Sequence, residues 1–259
     1  MATMTRALLM SALLPGLVAH VGTPSYAGEA KKLKVLVITG GHGYDKKTFP
    51  KTFAAATDMD IKILDTSKKG GSAAVFEDIS KWDYNVFVLY NFKQKITEKQ
   101  RANFLKLLDR GVGLVSLHHA IAAYPGWIEY EKVIGATYVL KECVRDGVKY
   151  PRPKWKHGVD FKIHVEDPSH PIVKGIEDFE IHDESYKLWV YHEGNNLLLS
   201  TDQPLNNRQI AWTRMYKGAR VAYIQLGHDK GAYGNKVYQQ VVARSIRWVS
   251  EGRKRTPRR

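Results

Sequence analysis

Several stretches of this chain are apolar without alternation. Residues 33–39 (LKVLVIT), 84–90 (YNVFVLY) and the run through Val112, Leu114, Val115 and Leu117 lack a polar residue at every second place, the pattern of strands buried on both faces of a parallel sheet. Residues 219–226 (ARVAYIQL) form another clear strand, and 61–64 a short one. Helical character falls between them. Residues 46–57 suit a helix, and Thr97, followed by Glu98 and Gln100, caps a second that runs to about Arg110 with Gly111 as its stop signal. The alternation predicts an α/β fold.

After Ala120 the rhythm changes. Tyr124-Pro125-Gly126-Trp127 reads as a turn, residues 128–134 as a helix, and about 141–158, rich in charge, Gly and Pro, as an insertion or lid. Residues 159–165 alternate like a half-buried strand, 167–171 form a loop, and 179–186 (FEIHDESY) are extended. In that last strand Phe179, Ile181 and Asp183 share one face, which sends His182 and Glu184 together into a pocket on the other. Further strands are expected at 197–201 and 209–213, and an amphipathic helix at 235–250.

With 259 residues, 44% of them hydrophobic, the chain can bury a full core. Arg6, the apolar run 7–21 and Ser25-Tyr26-Ala27 predict a cleaved export signal over 1–27, and thus a periplasmic or extracellular protein. Pro15 and Gly16 break that run, which is too short for a stable membrane span. Cys143 is the single cysteine, so no internal disulfide is expected. The net charge of +14 is spread along the chain apart from the basic tail 253–259. No nucleic-acid motif accompanies it and no nucleic-acid partner is expected; anionic polymers outside the cell are the more natural contact.

Three of the buried strands run into histidine: His42 beyond Gly40-Gly41, the pair His118-His119, and His228 beyond Gly227. Ligands of open α/β sheets bind outside the carboxyl ends of the strands. With Asp183 and Glu184 these histidines supply the groups of an acid/base site or of a divalent-metal site. No local metal signature such as HExxH is present, so a metal would draw its ligands from distant segments. The bland alternative is that each histidine only hydrogen-bonds a strand end. Cys143 lies in the charged insertion, away from any strand-to-helix elbow, which argues against a thiol nucleophile.

The motifs GGHGYD, GLVSLHHA, DESY after the loop at 167–172, and GARVAYIQLGHD resemble the ThuA-like family, over about residues 34–252. That resemblance implies a class I glutamine amidotransferase-like fold, a flavodoxin-like three-layer sandwich with a mostly parallel central sheet. His118 stands near the position where amidotransferases of this fold carry their cysteine nucleophile, and His228 resembles their later histidine, so thiol amidotransfer is not expected. The family implies sugar metabolism, with disaccharides or their 3-keto derivatives as substrates. The resulting expectation is an exported domain, 28–252, that binds a carbohydrate and acts on it as a hydrolase, lyase or isomerase. Glu184 would be the general acid or base, and His118 and His228 would move protons or stabilise an oxyanion. His42, Tyr44, His119, Asp183 and Tyr186 would orient sugar hydroxyls. The alternative is a non-catalytic glycan-binding module using Trp127, Trp155, Trp189 and Tyr191 as stacking faces. As a strand-end polar group, His118 is expected to contribute about 1 kcal/mol or less to stability.

Overall fold

The unalternating apolar runs are interior strands. The structure, a computed structural model, describes Met1 and residues 32–66, 71–145, 147–187 and 189–252. The export signal over 1–27, Met1 apart, and the tail 253–259 lie outside the described residues. The chain divides after Lys31 into two compact units, and every described element belongs to the second.

In chain order the elements are β1 (Leu33–Gly40), β2 (Met59–Asp65), β3 (Val86–Asn91), α1 (Glu98–Asp109), β4 (Gly113–Leu117), α2 (Ile128–Ile134), β5 (Ala136–Thr137), β6 (Cys143–Arg145), β7 (Val148–Tyr150) and β8 (Lys154–Val165). There follow β9 (Phe179–Lys187), β10 (Val190–Tyr191), β11 (Asn196–Ser200), β12 (Gln209–Tyr216), β13 (Ala219–Ile224), α3 (Lys230–Gly234) and α4 (Lys236–Ser250). Short 3-10 turns occupy Phe49–Phe53, Ser72–Phe76 and His118–Ala122.

Nine strands form the main sheet in the order β2-β1-β3-β4-β13-β12-β11-β8-β9. The first five are mutually parallel, and the other four extend the sheet antiparallel. This is the flavodoxin-like three-layer α/β sandwich. Two apolar layers cover its faces: α4, α3 and the Phe49–Phe53 turn pack on Val35, Val37, Val88 and Val115, while α1 and α2 pack on Leu36, Ile38, Phe87 and Leu114. Strands covered on both sides have no place for alternating polar residues, hence their sequence pattern.

Local chemistry agrees with the elements. Thr97 and Gln100 form a reciprocal capping box at α1, and the Asn235 side chain accepts from the N–H groups of Val237 and Tyr238, 3.0 Å each, at α4. The helix expected over 46–57 is only the Phe49–Phe53 turn. Asp45 caps this turn: its side chain takes the N–H groups of Lys47 and Thr48 at 2.9 and 3.2 Å and its carbonyl that of Phe49 at 2.9 Å. The charged segment 141–158 holds the β6–β7 hairpin, and β8 starts inside it, at Lys154 rather than 159. Among the described residues no helix is long and apolar enough to cross a membrane.

Candidate functional site

β4 delivers the chain into a strained elbow. His118, its first residue beyond the strand, has φ +50°, a left-handed conformation that costs a non-glycine residue energy and persists only where neighbours over-determine it. They do so here. The hydroxyls of Tyr186 and Tyr223 both donate to the His118 carbonyl at 2.9 Å, and its ring Nδ1–H donates to the Gln225 carbonyl at 2.7 Å. His118 is fully buried.

β13 ends beside it in a turn at Gly227, φ +113°, where a Cβ would collide with the Tyr238 hydroxyl, so the position requires glycine. The turn is tied to β9 by Asp183, whose carboxylate accepts the N–H of Gly227 at 2.7 Å and of His228 at 2.9 Å. The next residue, Glu184, faces the opposite side of the strand. Its Oε2 lies 3.0 Å from His118 Nε2 and 3.3 Å from His228 Nδ1, and those two nitrogens are 3.1 Å apart. Its Oε1 is 3.4 Å from His157 Nδ1.

These contacts set the charges. Burial works against a proton on His118, but the hydrogen bond and charge of Glu184 outweigh it and raise the imidazole pKa above 6.5. Burial likewise pushes Glu184 up, and His118 more than offsets this, so its carboxyl falls below 4.5. Burial and then the positive His118 bring His228 down to about 4. Without a metal, therefore, Glu184 is a carboxylate and His228 a neutral imidazole near neutrality, and His118 keeps its proton to higher pH than a free histidine does.

Over this cluster opens a cleft of about 350 Å³, lined among others by Glu184, His42, His119, Tyr138, Trp155 and His157, at the lower end of the range for small-ligand sites. It sits at the carboxyl ends of β1, β3, β4 and β13, where strand order predicts a site. His119 stacks on His42 with ring centroids 4.6 Å apart, and neither of its buried ring nitrogens has a hydrogen-bond partner among the described residues. Burial holds its pKa far below 6.5, so it is a neutral imidazole facing the cleft.

Of the expected residues, the structure thus brings together His42, His118, His119, Glu184, Tyr186 and His228. Three placements differ. Tyr44 packs its ring on Phe49 and Tyr90, at 4.9 and 5.7 Å, and sets its hydroxyl 3.1 Å from that of Thr39, instead of facing the cleft. Asp183 is fully buried with both oxygens spent on backbone N–H groups, so it holds the His228 turn and is not available to a sugar hydroxyl. His182 does not join Glu184. It pairs with Asp160 at 2.7 Å on the exposed edge, one pleat repeat away, where a β8 bulge between Lys156 and Val159 has shifted the register. Tyr186 lines the cleft, yet its hydroxyl is engaged by His118. The stability expectation for His118 also changes, since its ring and carbonyl both satisfy buried partners.

Residues not foreseen at the site are His157, Tyr138, Phe92, Lys93 and Arg152. His157 lies in the charged insertion, where its only signal was proximity to Trp155. Of the four aromatic candidates for stacking, Trp127 and Trp189 are 6% and 5% exposed and belong to the core, while Trp155 is 60% exposed and lines the cleft.

His118, Glu184 and His228 also have the donor set of a metal site. Their three ligand atoms are 3.0, 3.1 and 3.3 Å apart, close to the separation of about 3.3 Å that Zn–N bonds of 2.0–2.1 Å give around a tetrahedron. His118 donates its other nitrogen to a backbone carbonyl, the orienting contact that metal-bound histidines make.

A sheet in this strand order, with a strained elbow after its central strand and an imidazole after the next, places the protein in the class I glutamine amidotransferase-like superfamily, with histidine at the elbow. The chain belongs to the ThuA family, described as trehalose utilisation, whose model matches residues 34–249. Its structure is similar to a ThuA-like protein of Parabacteroides merdae (TM-score 0.72, 18% identity, 85% of this chain and 91% of that one). It is also similar to one of Bacteroides uniformis (0.63, 19%, 88% and 95%). A protein of Salmonella typhimurium described as cytoplasmic follows (0.58, 14%, 86% and 100%). At these identities the likeness is one of fold. Among curated proteins none matches the sequence. The family assigns the chain a carbohydrate-related role in general terms.

Proposed function

We propose that the cleft binds a carbohydrate, a disaccharide or keto-sugar derivative, and acts on it through Glu184 as general acid or base. The observation that carries this reading is that Glu184 alone of the buried cluster lines the cleft, while its inner oxygen is held by two imidazoles. A carboxylate so oriented is positioned for proton transfer. His118, shielded from the cleft, positions Glu184 and sets its charge. A neutral His228 that directs Nδ1–H to Glu184 keeps a lone pair on Nε2, able to take a proton. Trp155 supplies an apolar face for a sugar ring, and the segment 141–158 serves as the lid that carries it.

The convergence of three donor atoms favours a second reading with the same residues: a divalent cation held by His118, Glu184 and His228. Such an ion would polarise a substrate oxygen or lower the pKa of bound water. The test is turnover of trehalose and 3-ketotrehalose by the purified protein, with and without added zinc, against Glu184→Gln. Binding without turnover in every case would instead favour the glycan-binding module. Export remains part of the proposal: protein recovered from the producing cell should begin near Gly28, and an intact Met1 on the mature protein would refute it.

A further inference from the structure

Two cations in the cleft are left without acidic partners. Lys93 and Arg152 both line it, and the one carboxylate lining it among the described residues is Glu184, already engaged by histidines. Neither cation has an ion pair among the described residues. Lys93 is held by its backbone. Lys93 follows β3 in a left-handed conformation, φ +50°, pinned by its N–H to the Ala122 carbonyl at 3.0 Å. Its ammonium lies 4.8 Å from the centre of the Phe92 ring. Strain of this kind collects at ligand clamps. Arg152 is exposed and precedes Pro153, which restricts its backbone to extended conformations, and its charge acts on the Tyr138 hydroxyl. Restricted cations spend less entropy on binding.

We infer that the ligand of this cleft is an anionic sugar, whose carboxylate or phosphate is held by Lys93 and Arg152 while its ring faces Trp155 and Glu184. The inference rests on the carbohydrate reading above and narrows it. Both cations are exposed in the free protein, and a neutral disaccharide covering the cleft would offer them no group of opposite charge. An oxyanion on the ring would accept hydrogen bonds from both, the guanidinium being suited to bidentate binding.

Calorimetric titration of the full-length protein with glucose, glucuronate, glucose 6-phosphate and inorganic phosphate tests this. Glucuronate or glucose 6-phosphate should bind about tenfold or more tighter than glucose, the scale of one added charge-assisted hydrogen bond, and whichever wins identifies the carboxylate or the phosphate as the anion. The preference should shrink severalfold in Arg152→Ala and in Lys93→Asn, a substitution that tolerates the left-handed backbone. It should also weaken with added salt in the unmodified protein, a readout independent of any variant. Equal affinity for glucose and glucose acids, unchanged in both variants, overturns the inference and leaves the carbohydrate reading in place. Inorganic phosphate binding as tightly as glucose 6-phosphate overturns it as well, since the sugar would then contribute nothing. Failure of glucose, glucuronate and glucose 6-phosphate alike overturns the inference, and the carbohydrate reading falls with it only if trehalose and 3-ketotrehalose also fail to bind.

Discussion

Asp183 accepts the backbone N–H of His228 at 2.9 Å, while its neighbour Glu184 meets the same histidine's ring at 3.3 Å from the other side of the strand. One acid shapes the turn and the next acts on what the turn carries. The period-2 alternation of a strand makes this division automatic. Asp183→Asn and Glu184→Gln should therefore fail differently. The amide introduced by Asp183→Asn would bring donors to a place already filled with N–H groups, and the protein should lose about 1–3 kcal/mol of stability, the cost of buried donors without acceptors. Glu184→Gln should melt within a few degrees of the parent and lose turnover by about 100-fold or more. Chemical denaturation and activity, measured on both, check the contrast.

His118 combines both roles. Removing its ring in His118→Ala leaves the buried Gln225 carbonyl without its donor and keeps a non-glycine residue in the left-handed region held only by the Tyr186 and Tyr223 hydroxyls on its carbonyl. A loss of about 2–4 kcal/mol is expected, larger than a strand-end position alone suggests. His118→Asn, whose short amide tolerates that backbone, should recover part of the stability and none of the turnover. Recovery of turnover in His118→Asn would show that the imidazole is not needed.

Much of this was legible in the chain. Strands β1, β3, β4 and β13 announce themselves as apolar runs because both faces are covered, and their carboxyl ends mark His42, His118 and His228 at once. The site's other wall is harder to read. β8 is exposed along its first half and carries a bulge, so no clean alternation reveals that Trp155 and His157 turn toward Glu184. Nothing in the residue type of Lys93 signals a positive φ, since tertiary contacts impose it. The pair His182 and Glu184 shares parity, but parity reports a face of the strand and not whether that stretch of face is covered.

Metal addition separates the two chemical readings without a substrate. If a divalent cation is held, zinc should raise the melting temperature of chelator-treated protein, by an amount growing with free metal as RT ln(1 + [L]/Kd) requires. The rise should vanish in Glu184→Gln and His228→Ala, and elemental analysis of the untreated protein should find about one ion per chain. No rise with zinc, cobalt or manganese would leave the cluster to acid/base chemistry alone.

In chelator-treated protein the histidines themselves report the pairing. His118 should keep its proton above the ordinary 6.5, and His228 should stay neutral down to about 4, as followed by imidazole NMR shifts. The sign for stability follows from linkage. A histidine pKa raised in the folded state contributes stability that is fully present below the unfolded value near 6.5 and is lost as pH rises through the raised value. The lowered Glu184 carboxyl contributes above its ordinary 4.5, and that contribution is lost as pH falls through the lowered value. The pair is thus most stabilising between about 4.5 and 6.5. His228 opposes it in part, because below 6.5 the unfolded chain binds a proton that the folded one refuses until about 4. Glu184→Gln removes the largest effect that favours the proton, so the His118 titration should move down from its value in the unmodified protein. A His118 titration that stays where it was in Glu184→Gln would show that the carboxylate does not hold the proton, and the acid/base assignment would fall with it.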